Sequence, residues 1–361
     1  MNLVAALLKL DGINPNVGFS LIFAAEKGHS AVVELLLTVK NINPNIGEQW
    51  GDGAPLLRAC PGGHASVVRQ LLARDEINVN PVGSRGTALI AAIRARSMEI
   101  INLLLGSDGI DVNFHPQSIN APLIMAIESG QIEVAESLLA RDDLDLNIVD
   151  EKGDHLLLHS MRLGLDKVKL ILDRTNVDPD IVGFDGYTAL MMACSMDKED
   201  LELIEFLLDQ GIDVNRRDAD GMTALCYAIC YGRSKVIKFL LDRDDIDPNL
   251  PNLGGDTPLL HAVMIENLSV AGQLLRKKGI DVNARNNDGF TALAIACTAH
   301  WHEYHAADFV RLLLSHHDTN PNIVDNNGVS VLSKVIELGR TSNRNEHFRR
   351  IEDLLRAAGA G

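Results

Sequence analysis

A short motif recurs along almost the whole chain, and its spacing constrains the fold more than any other feature. It reads Ile-Asn-Pro-Asn at 13 and 42, Ile-Asn-Val-Asn at 77, and Ile-Asp-Val-Asn at 110, 212 and 280. Related strings stand at 144, 177, 246 and 319. Successive copies start 29 to 39 residues apart in a chain of 361 residues. A repeat of this length predicts a solenoid, in which stacked units contact only their neighbours.

Between copies of the motif, the sequence predicts a polar turn and two short helices. The first helix is opened by threonine, a good N-cap, as at Thr223, Thr257 and Thr291. The second helix carries apolar residues at i, i+3 and i+4, as in 234–241. Glycines follow this helix, and we expect them to end it as left-handed caps. They are Gly109, Gly211 and Gly279.

This order of elements resembles the ankyrin repeat, a unit of about 33 residues made of a β-turn and two helices. The string Thr-Pro-Leu-Leu-His-Ala at 257–262 is the best match to the family hallmark Thr-Pro-Leu-His-x-Ala. The resemblance implies an all-α repeat solenoid, an array of about ten helix-turn-helix units with β-hairpin or turn fingers in a single elongated domain. We expect an N-terminal half-repeat cap at 1–16, repeats over 17–322 and a C-terminal capping repeat at 323–361. The frequent Asp-Pro-Asn loops resemble fungal arrays of the family.

Charge and cysteine usage limit the possible partners and compartments. The formal net charge of −16 argues against nucleic acid and anionic membrane, which both select a positive surface. No stretch approaches the roughly 18 apolar residues of a membrane span, and the first residues do not read as a signal peptide. The five cysteines are odd in number, which favours a reducing compartment, cytoplasm or nucleus.

A histidine-rich stretch near the C-terminus is the strongest metal candidate. His300, His302 and His305 lie in an insertion that lengthens the turn between two helices. Their spacing does not match HExxH, and no cysteine joins them with zinc spacing. We therefore predict no metal site and no cofactor, and keep these three histidines as weak candidates. His316 and His317 are interpreted as an ordinary helix end, where cations are favoured.

Searches for catalytic motifs find none. The chain lacks GxSxG, GxxxxGK[ST], GxGxxG and the kinase signature set. The lack of motifs favours a non-catalytic role. It leaves open whether the protein is an enzyme, because a catalytic triad is defined by geometry and not by sequence order.

The family resemblance also implies where a ligand binds: at the turn tips and the exposed ends of the first helices, on the concave face. Carried over position by position, the candidates are Trp50, Arg94, Glu128, Arg162, Phe184, Tyr187, Met196, Met222, Tyr231, Met264 and Phe290. The first five repeats offer charge, whereas repeats six to nine offer aromatic residues and methionine. Such residues are typical of interface cores, so we predict the C-terminal half of this face as the main contact surface.

Two hypotheses of function follow. The first is a non-catalytic scaffold that binds a protein or peptide on the concave face. The alternative is a small-molecule-binding protein or an atypical enzyme with its site in the concave groove, and a deep pocket lined by methionine and aromatic groups would support it.

Overall fold

The computed structural model describes residues 14–47, 52–116, 120–149, 154–298, 303–341 and 345–361. The chain divides into two compact units, Met1–Val177 and Asp178–Gly361. We refer to them as the N-terminal and the C-terminal unit and describe each by itself.

The N-terminal unit consists of helix pairs, one pair for each predicted repeat. Its helices are α1 (Ser20–Glu26), α2 (Ser30–Leu37), α3 (Pro55–Ala59), α4 (Ala65–Leu72), α5 (Ala88–Arg94), α6 (Met98–Leu105), α7 (Pro122–Glu128), α8 (Ile132–Leu139), α9 (Leu156–Met161) and α10 (Leu165–Arg174). A two-stranded antiparallel hairpin, β1 (Val82–Gly83) with β2 (Gly86–Thr87), precedes α5.

The C-terminal unit repeats the same arrangement. Its helices are α11 (Ala189–Ser195), α12 (Leu201–Asp209), α13 (Ala224–Cys230), α14 (Ser234–Leu241), α15 (Pro258–Met264), α16 (Leu268–Leu274), α17 (Ala292–Thr298), α18 (Glu303–Leu314), α19 (Val331–Thr341) and α20 (Asn345–Ala357). Odd-numbered helices are the first helix of each repeat, and even-numbered helices are the second. The prediction of an all-α array of about ten helix-turn-helix repeats is therefore confirmed.

Threonine opens five of the ten first helices, including the three for which the sequence predicts it. The Thr223 hydroxyl accepts a hydrogen bond from the Cys226 amide at 3.3 Å, and Thr257 does the same for Leu260 at 3.4 Å. Pro258 occupies the first helical position, where an amide proton has no helical partner. These caps satisfy amide groups that each helix start would otherwise leave unpaired.

A first helix inside a unit can be buried almost all round, as α5 is, because it packs against the neighbouring first helices α3 and α7 and against its own second helix α6. In α5 every residue from Ala88 to Ile93 is buried, whereas α6 buries only Ile100, Ile101 and Leu104. A small residue fills one slot near the end of the first helix, as Cys60, Cys194 and Cys297 do with no exposed surface. Burial raises the pKa of the Cys60 thiol to about 12, so these cysteines act as small apolar packing residues.

The asparagine that ends the repeated motif joins one repeat to the next at eight positions of the described chain. The Asn249 amide nitrogen donates to the Gly279 carbonyl at 2.8 Å, and its oxygen accepts from the Asp281 amide at 2.8 Å. Asn16, Asn45, Asn80, Asn113, Asn215, Asn283 and Asn322 make the same pair of bonds. We call this series the asparagine ladder. Asp180 holds the position in repeat six and pairs with Arg216 at 3.1 Å.

The predicted role of the glycines is correct at only one of three positions. Gly211 follows the cap of α12 directly, with φ of 86°. In contrast, α6 ends at Leu105 and α16 at Leu274, several residues before Gly109 and Gly279. These two glycines instead take left-handed φ values in the next turn, where their carbonyls meet the ladder asparagines.

The turns before the first helices form fingers that bond edge to edge in the C-terminal unit. The Ala219 amide donates to the Asp185 carbonyl, Leu253 to Asp220 and Asn287 to Gly254, at 2.7 to 2.9 Å. Regular strand pairing is limited, within the described residues, to the β1–β2 hairpin and three isolated bridges. Each of these fingers is also closed by a bond of its own, such as that from the Asp218 amide to the Met222 carbonyl at 3.0 Å.

The described residues of the last two repeats form longer helices than those of most other repeats. Helix α18 has 12 residues, whereas the second helices α4, α6, α8 and α14 have 8. Helices α19 and α20 have 11 and 13 residues. The local sequence carries helix-forming residues on both sides of the turn, so the extra length continues the helical backbone.

Candidate binding face on the fingers and first helices

Three tyrosines meet where the fingers and first helices of repeats six and seven lie side by side. Tyr187 comes from a finger, Tyr227 from the middle of α13 and Tyr231 from its C-cap. The ring centroids of Tyr187 and Tyr227 are 5.0 Å apart, edge to face, and those of Tyr227 and Tyr231 are 6.5 Å apart and nearly parallel. We call these residues the tyrosine cluster, and the surface made of the fingers and the exposed side of the first helices the finger face.

Polar neighbours fix the cluster in place. The Tyr227 hydroxyl donates to a carboxylate oxygen of Asp218 at 2.7 Å, and the Tyr187 hydroxyl lies 2.9 Å from the Ser195 hydroxyl. The guanidinium carbon of Arg233 lies 5.7 Å from the centre of the Tyr231 ring, within the range of a cation–π contact. Only Tyr231 presents a large free surface, with 54% of the residue exposed.

Both inner phenols are held neutral. Burial raises the pKa of Tyr187 above its usual value. Burial, together with the hydrogen bond to Asp218 and its negative charge, raises the pKa of Tyr227 well above its usual range. At neutral pH these groups are therefore structural hydrogen-bond partners and are poorly suited to act as general bases.

Methionine and phenylalanine extend this surface along the C-terminal unit. Met264, at the end of α15, is 47% exposed, and Ile265 beside it is 41% exposed. Met196, Met222 and Phe290 are half-buried. The Lys334 ammonium lies 4.4 Å from the centre of the Phe290 ring. The structure thus places these predicted residues on the finger face, with Tyr231 and Met264 the most accessible of them.

A polar finger residue supports a first-helix side chain nine residues later in three of these repeats. Asp218 accepts from Tyr227, Asn252 lies 3.2 Å from the ring of His261, and Asp325 pairs with Lys334. Hydrogen bonds and the charge of Lys334 lower the pKa of Asp325 to about 2. Burial lowers the pKa of His261, which favours the neutral ring. Each contact ties a finger to the helix behind it.

The finger face of the N-terminal unit carries charged side chains that engage local partners. Arg94 donates to the Arg85 carbonyl at 2.6 Å, Glu128 accepts from Asn120 at 3.1 Å, and Arg162 pairs with Asp154. A groove of about 690 Å³ lies here, lined by charged residues and by the small side chain of Ala91. Its charged lining comprises Glu26, Asp52, Arg58, Arg85 and Arg94.

Several sequence candidates lie outside the described part of the chain. They are Trp50, the side chain of Phe184, His300 and His302. The third histidine, His305, is exposed, and its ring lies 3.2 Å from a carboxylate oxygen of Glu266. Among the described residues, three side chains that can bind a metal come together at His316, His317 and Asp318, with ligand atoms within 4.8 Å of one another.

Sequence reasoning missed the centre of the tyrosine cluster. Tyr227, its acceptor Asp218 and the stacked Arg233 were not among the candidates, because the carried-over positions covered only the finger tips and the helix ends. The signal was present, since Tyr227 and Tyr231 stand four residues apart and so share one side of α13.

Within the part of the chain that the structure covers, no helix has the length and apolar character needed to cross a bilayer.

Comparisons with known proteins agree with this architecture. The family model "Ankyrin repeats (3 copies)" matches residues 21–116, 56–150, 156–252 and 245–325. A similar solved structure is the ankyrin repeat domain of Bcl-3, described as a unique member of the IkappaB protein family. It is 24% identical with a TM-score of 0.55, and the match covers 66% of this chain and 98% of that one.

Similar curated proteins share only short segments. Serine/threonine-protein kinase 12 of Arabidopsis thaliana is 45% identical over 65 residues, 18% of this chain and 14% of the relative. Ankyrin repeat and SAM domain-containing protein 6 of Rattus norvegicus is 31% identical over 96 residues, 26% of this chain and 11% of the relative. The chain therefore matches less than one sixth of the length of each relative.

Proposed function

Because this chain belongs to the ankyrin-repeat family, we propose that it is a non-catalytic scaffold that binds a protein or peptide on the concave face of its array. The observation that carries the proposal is the exposed, pre-organised aromatic surface of the C-terminal unit. Tyr231 and Met264 are accessible there, and Tyr227 is fixed behind Tyr231 by its bond to Asp218.

The chemistry of this surface suits a protein partner. Tyrosine and arginine dominate the binding energy of protein interfaces, and here Tyr231 and Arg233 lie in contact. Side chains that are already fixed lose little rotational freedom on binding, so less of the interaction energy is spent on ordering them. The charged side chains of the N-terminal unit, such as Arg94 and Glu128, would act at the rim, where they select partners by charge complementarity.

The small-molecule alternative has less support. A deep pocket lined by methionine and aromatic groups would favour it, but two broad grooves of the described residues are lined differently. Neither contains Tyr231, Met196 or Met264. The raised pKa values of Tyr187 and Tyr227 also argue against acid–base chemistry in the tyrosine cluster.

The compartment we propose is the cytoplasm or the nucleus. All five cysteines are unpaired, and four of them are buried, which is compatible with a reducing environment. The fungal character that the Asp-Pro-Asn loops indicate stays a prediction.

The test is affinity capture with the full chain, followed by mass spectrometry of retained proteins and small molecules. We expect Tyr231→Ala combined with Met264→Ala to reduce capture of the retained protein at least tenfold without lowering the melting temperature. The matched control is Phe114→Ala, which removes an aromatic side chain of similar exposure, 43%, from the N-terminal unit. Equal capture by the double variant would contradict the proposal, and retention of a metabolite alone would favour the small-molecule alternative.

A further inference from the structure

A glycine interrupts a regular series of long polar side chains on the second helices. The residues at the matching position are Glu34, Arg69, Asn102, Glu136, Lys169, Glu205, Lys238 and Arg311. In α16 the position belongs to Gly272, inside the helix, where glycine is unfavourable compared with any of those residues. A side chain is therefore missing at one position of an otherwise continuous surface.

The missing side chain opens a groove across α14, α16 and α18. The groove has a volume of about 910 Å³ and lies on the second helices, away from the tyrosine cluster. Its lining includes Lys238, Leu241, Leu268, Gly272, Arg276 and Leu312. A Cβ atom built on Gly272 would lie 3.9 Å from the methyl groups of Leu312, so a longer side chain would occupy the groove without a clash at its base.

The groove combines apolar surface with uncompensated positive charge. Leu268 is 39% exposed, although leucine is usually buried. Lys238 and Arg276 are exposed and form no ion pair with a described residue, whereas Lys277 is bound to the carbonyls of Leu241 and Arg243. The one acidic residue in the lining is Asp242. In a chain of net charge −16, this local excess of positive charge selects an acidic partner.

We propose that this groove is a second interaction surface, which binds a short acidic amphipathic helix of another protein. Leucine-type side chains of the helix would cover Leu268 and Leu312, and carboxylates on its flanks would pair with Lys238 and Arg276. A second copy of this chain is disfavoured, because two chains of −16 repel each other. Nucleic acid is disfavoured too, because the groove offers no aromatic platform and contains Asp242.

The experiment measures fluorescence anisotropy of a labelled 14-residue peptide of leucine and glutamate, patterned to place the leucines on one helical face. We expect saturable binding to the full chain that weakens with added salt. Gly272→Gln restores the side-chain type of the other repeats, so it should weaken binding at least tenfold while the melting temperature holds or rises. Lys238→Glu with Arg276→Glu should weaken binding similarly, whereas the control pair Lys235→Glu with Lys278→Glu, outside the groove, should have a much smaller effect.

Each other result overturns the proposal. Binding that Gly272→Gln leaves unchanged would place the peptide elsewhere. Equal binding of a peptide with glutamine in place of glutamate would remove the charge argument. Self-association in sedimentation that Gly272→Gln abolishes would identify a second copy as the occupant. If Gly272→Gln lowers the melting temperature, the binding measured for the Lys238→Glu and Arg276→Glu double variant tests the proposal instead. Tyr231→Ala does not touch this groove, so the two proposals fail independently.

Discussion

The finger faces of the two units are built on the same backbone plan and carry different chemistry. In the N-terminal unit, Arg94 and Glu128 are exposed and hydrogen-bond to local polar groups. In the C-terminal unit, the equivalent region holds Tyr227, Tyr231 and Met264, two of which are about half exposed. The helices behind both surfaces bury the same types of residue at the same positions. Core packing and surface chemistry thus lie at separate positions of each repeat, so the surface can change while the fold is kept.

The comparison implies that the two units have equally well packed cores although their surfaces differ. Truncating an equivalent buried leucine in each unit tests this. Leu104 in α6 and Leu240 in α14 occupy equivalent positions and have no exposed surface. We expect Leu104→Ala and Leu240→Ala each to lower the free energy of unfolding by about 2–5 kcal/mol, because each leaves a cavity. Urea denaturation gives the loss, and hydrogen exchange should locate it in the altered repeat and its neighbours. A loss below about 1 kcal/mol in only one unit would mean that the two cores are packed differently.

The asparagine ladder should also contribute equally in both units. Asn80→Ala and Asn249→Ala each remove one donor and one acceptor between neighbouring repeats. We expect each to lower the free energy of unfolding by about 1–2 kcal/mol, since two hydrogen bonds at a partly solvated position are lost. Thermal or urea unfolding of the two variants checks this, and values that differ by more than about 1 kcal/mol would show that the ladder matters in one unit only.

The smallest changes in the free energy of unfolding are expected for polar side chains of the two finger faces, and they should differ between the units. Tyr227→Phe removes the hydroxyl bound to Asp218, and Arg94→Met removes the guanidinium bound to the Arg85 carbonyl. We expect a loss of about 1 kcal/mol for Tyr227→Phe and less than about 0.5 kcal/mol for Arg94→Met, because the Tyr227 hydroxyl is half-buried and donates to a charged carboxylate. Equal losses in urea unfolding would contradict the distinction.

Tyr227→Phe should also change the response to alkaline pH. The pKa of Tyr227 is raised in the folded protein, so above about pH 10 the unfolded phenol ionises while the folded one keeps its proton. The free energy of unfolding therefore falls as pH rises through that range. In Tyr227→Phe this contribution is absent, and urea unfolding between pH 9 and 11.5 should show a smaller loss than in the unaltered chain.

Much of the fold was predictable because it depends on short sequence patterns that recur in each repeat. The motif spacing predicted the repeats, and the threonines predicted the helix starts. Features that depend on contacts between residues far apart in the sequence were harder to predict. Gly109 and Gly279 were interpreted as helix caps, yet they serve carbonyl contacts to asparagines about 30 residues away. The length of α18 and α19 likewise depended on whether added residues would continue a helix.

The sequence by itself determined the period, the helix pairs and the separation of charged from aromatic repeats, because each of these depends on residues within one unit of about 34. Only the tertiary structure decided which side chains of different repeats meet. The stacking of repeats places Tyr187 of one repeat against Tyr227 of the next. It also places Gly272, which has no side chain, between Lys238 and Leu312, so that a groove forms there. Such contacts arise from the packing of neighbouring repeats, and no single repeat contains the information for them.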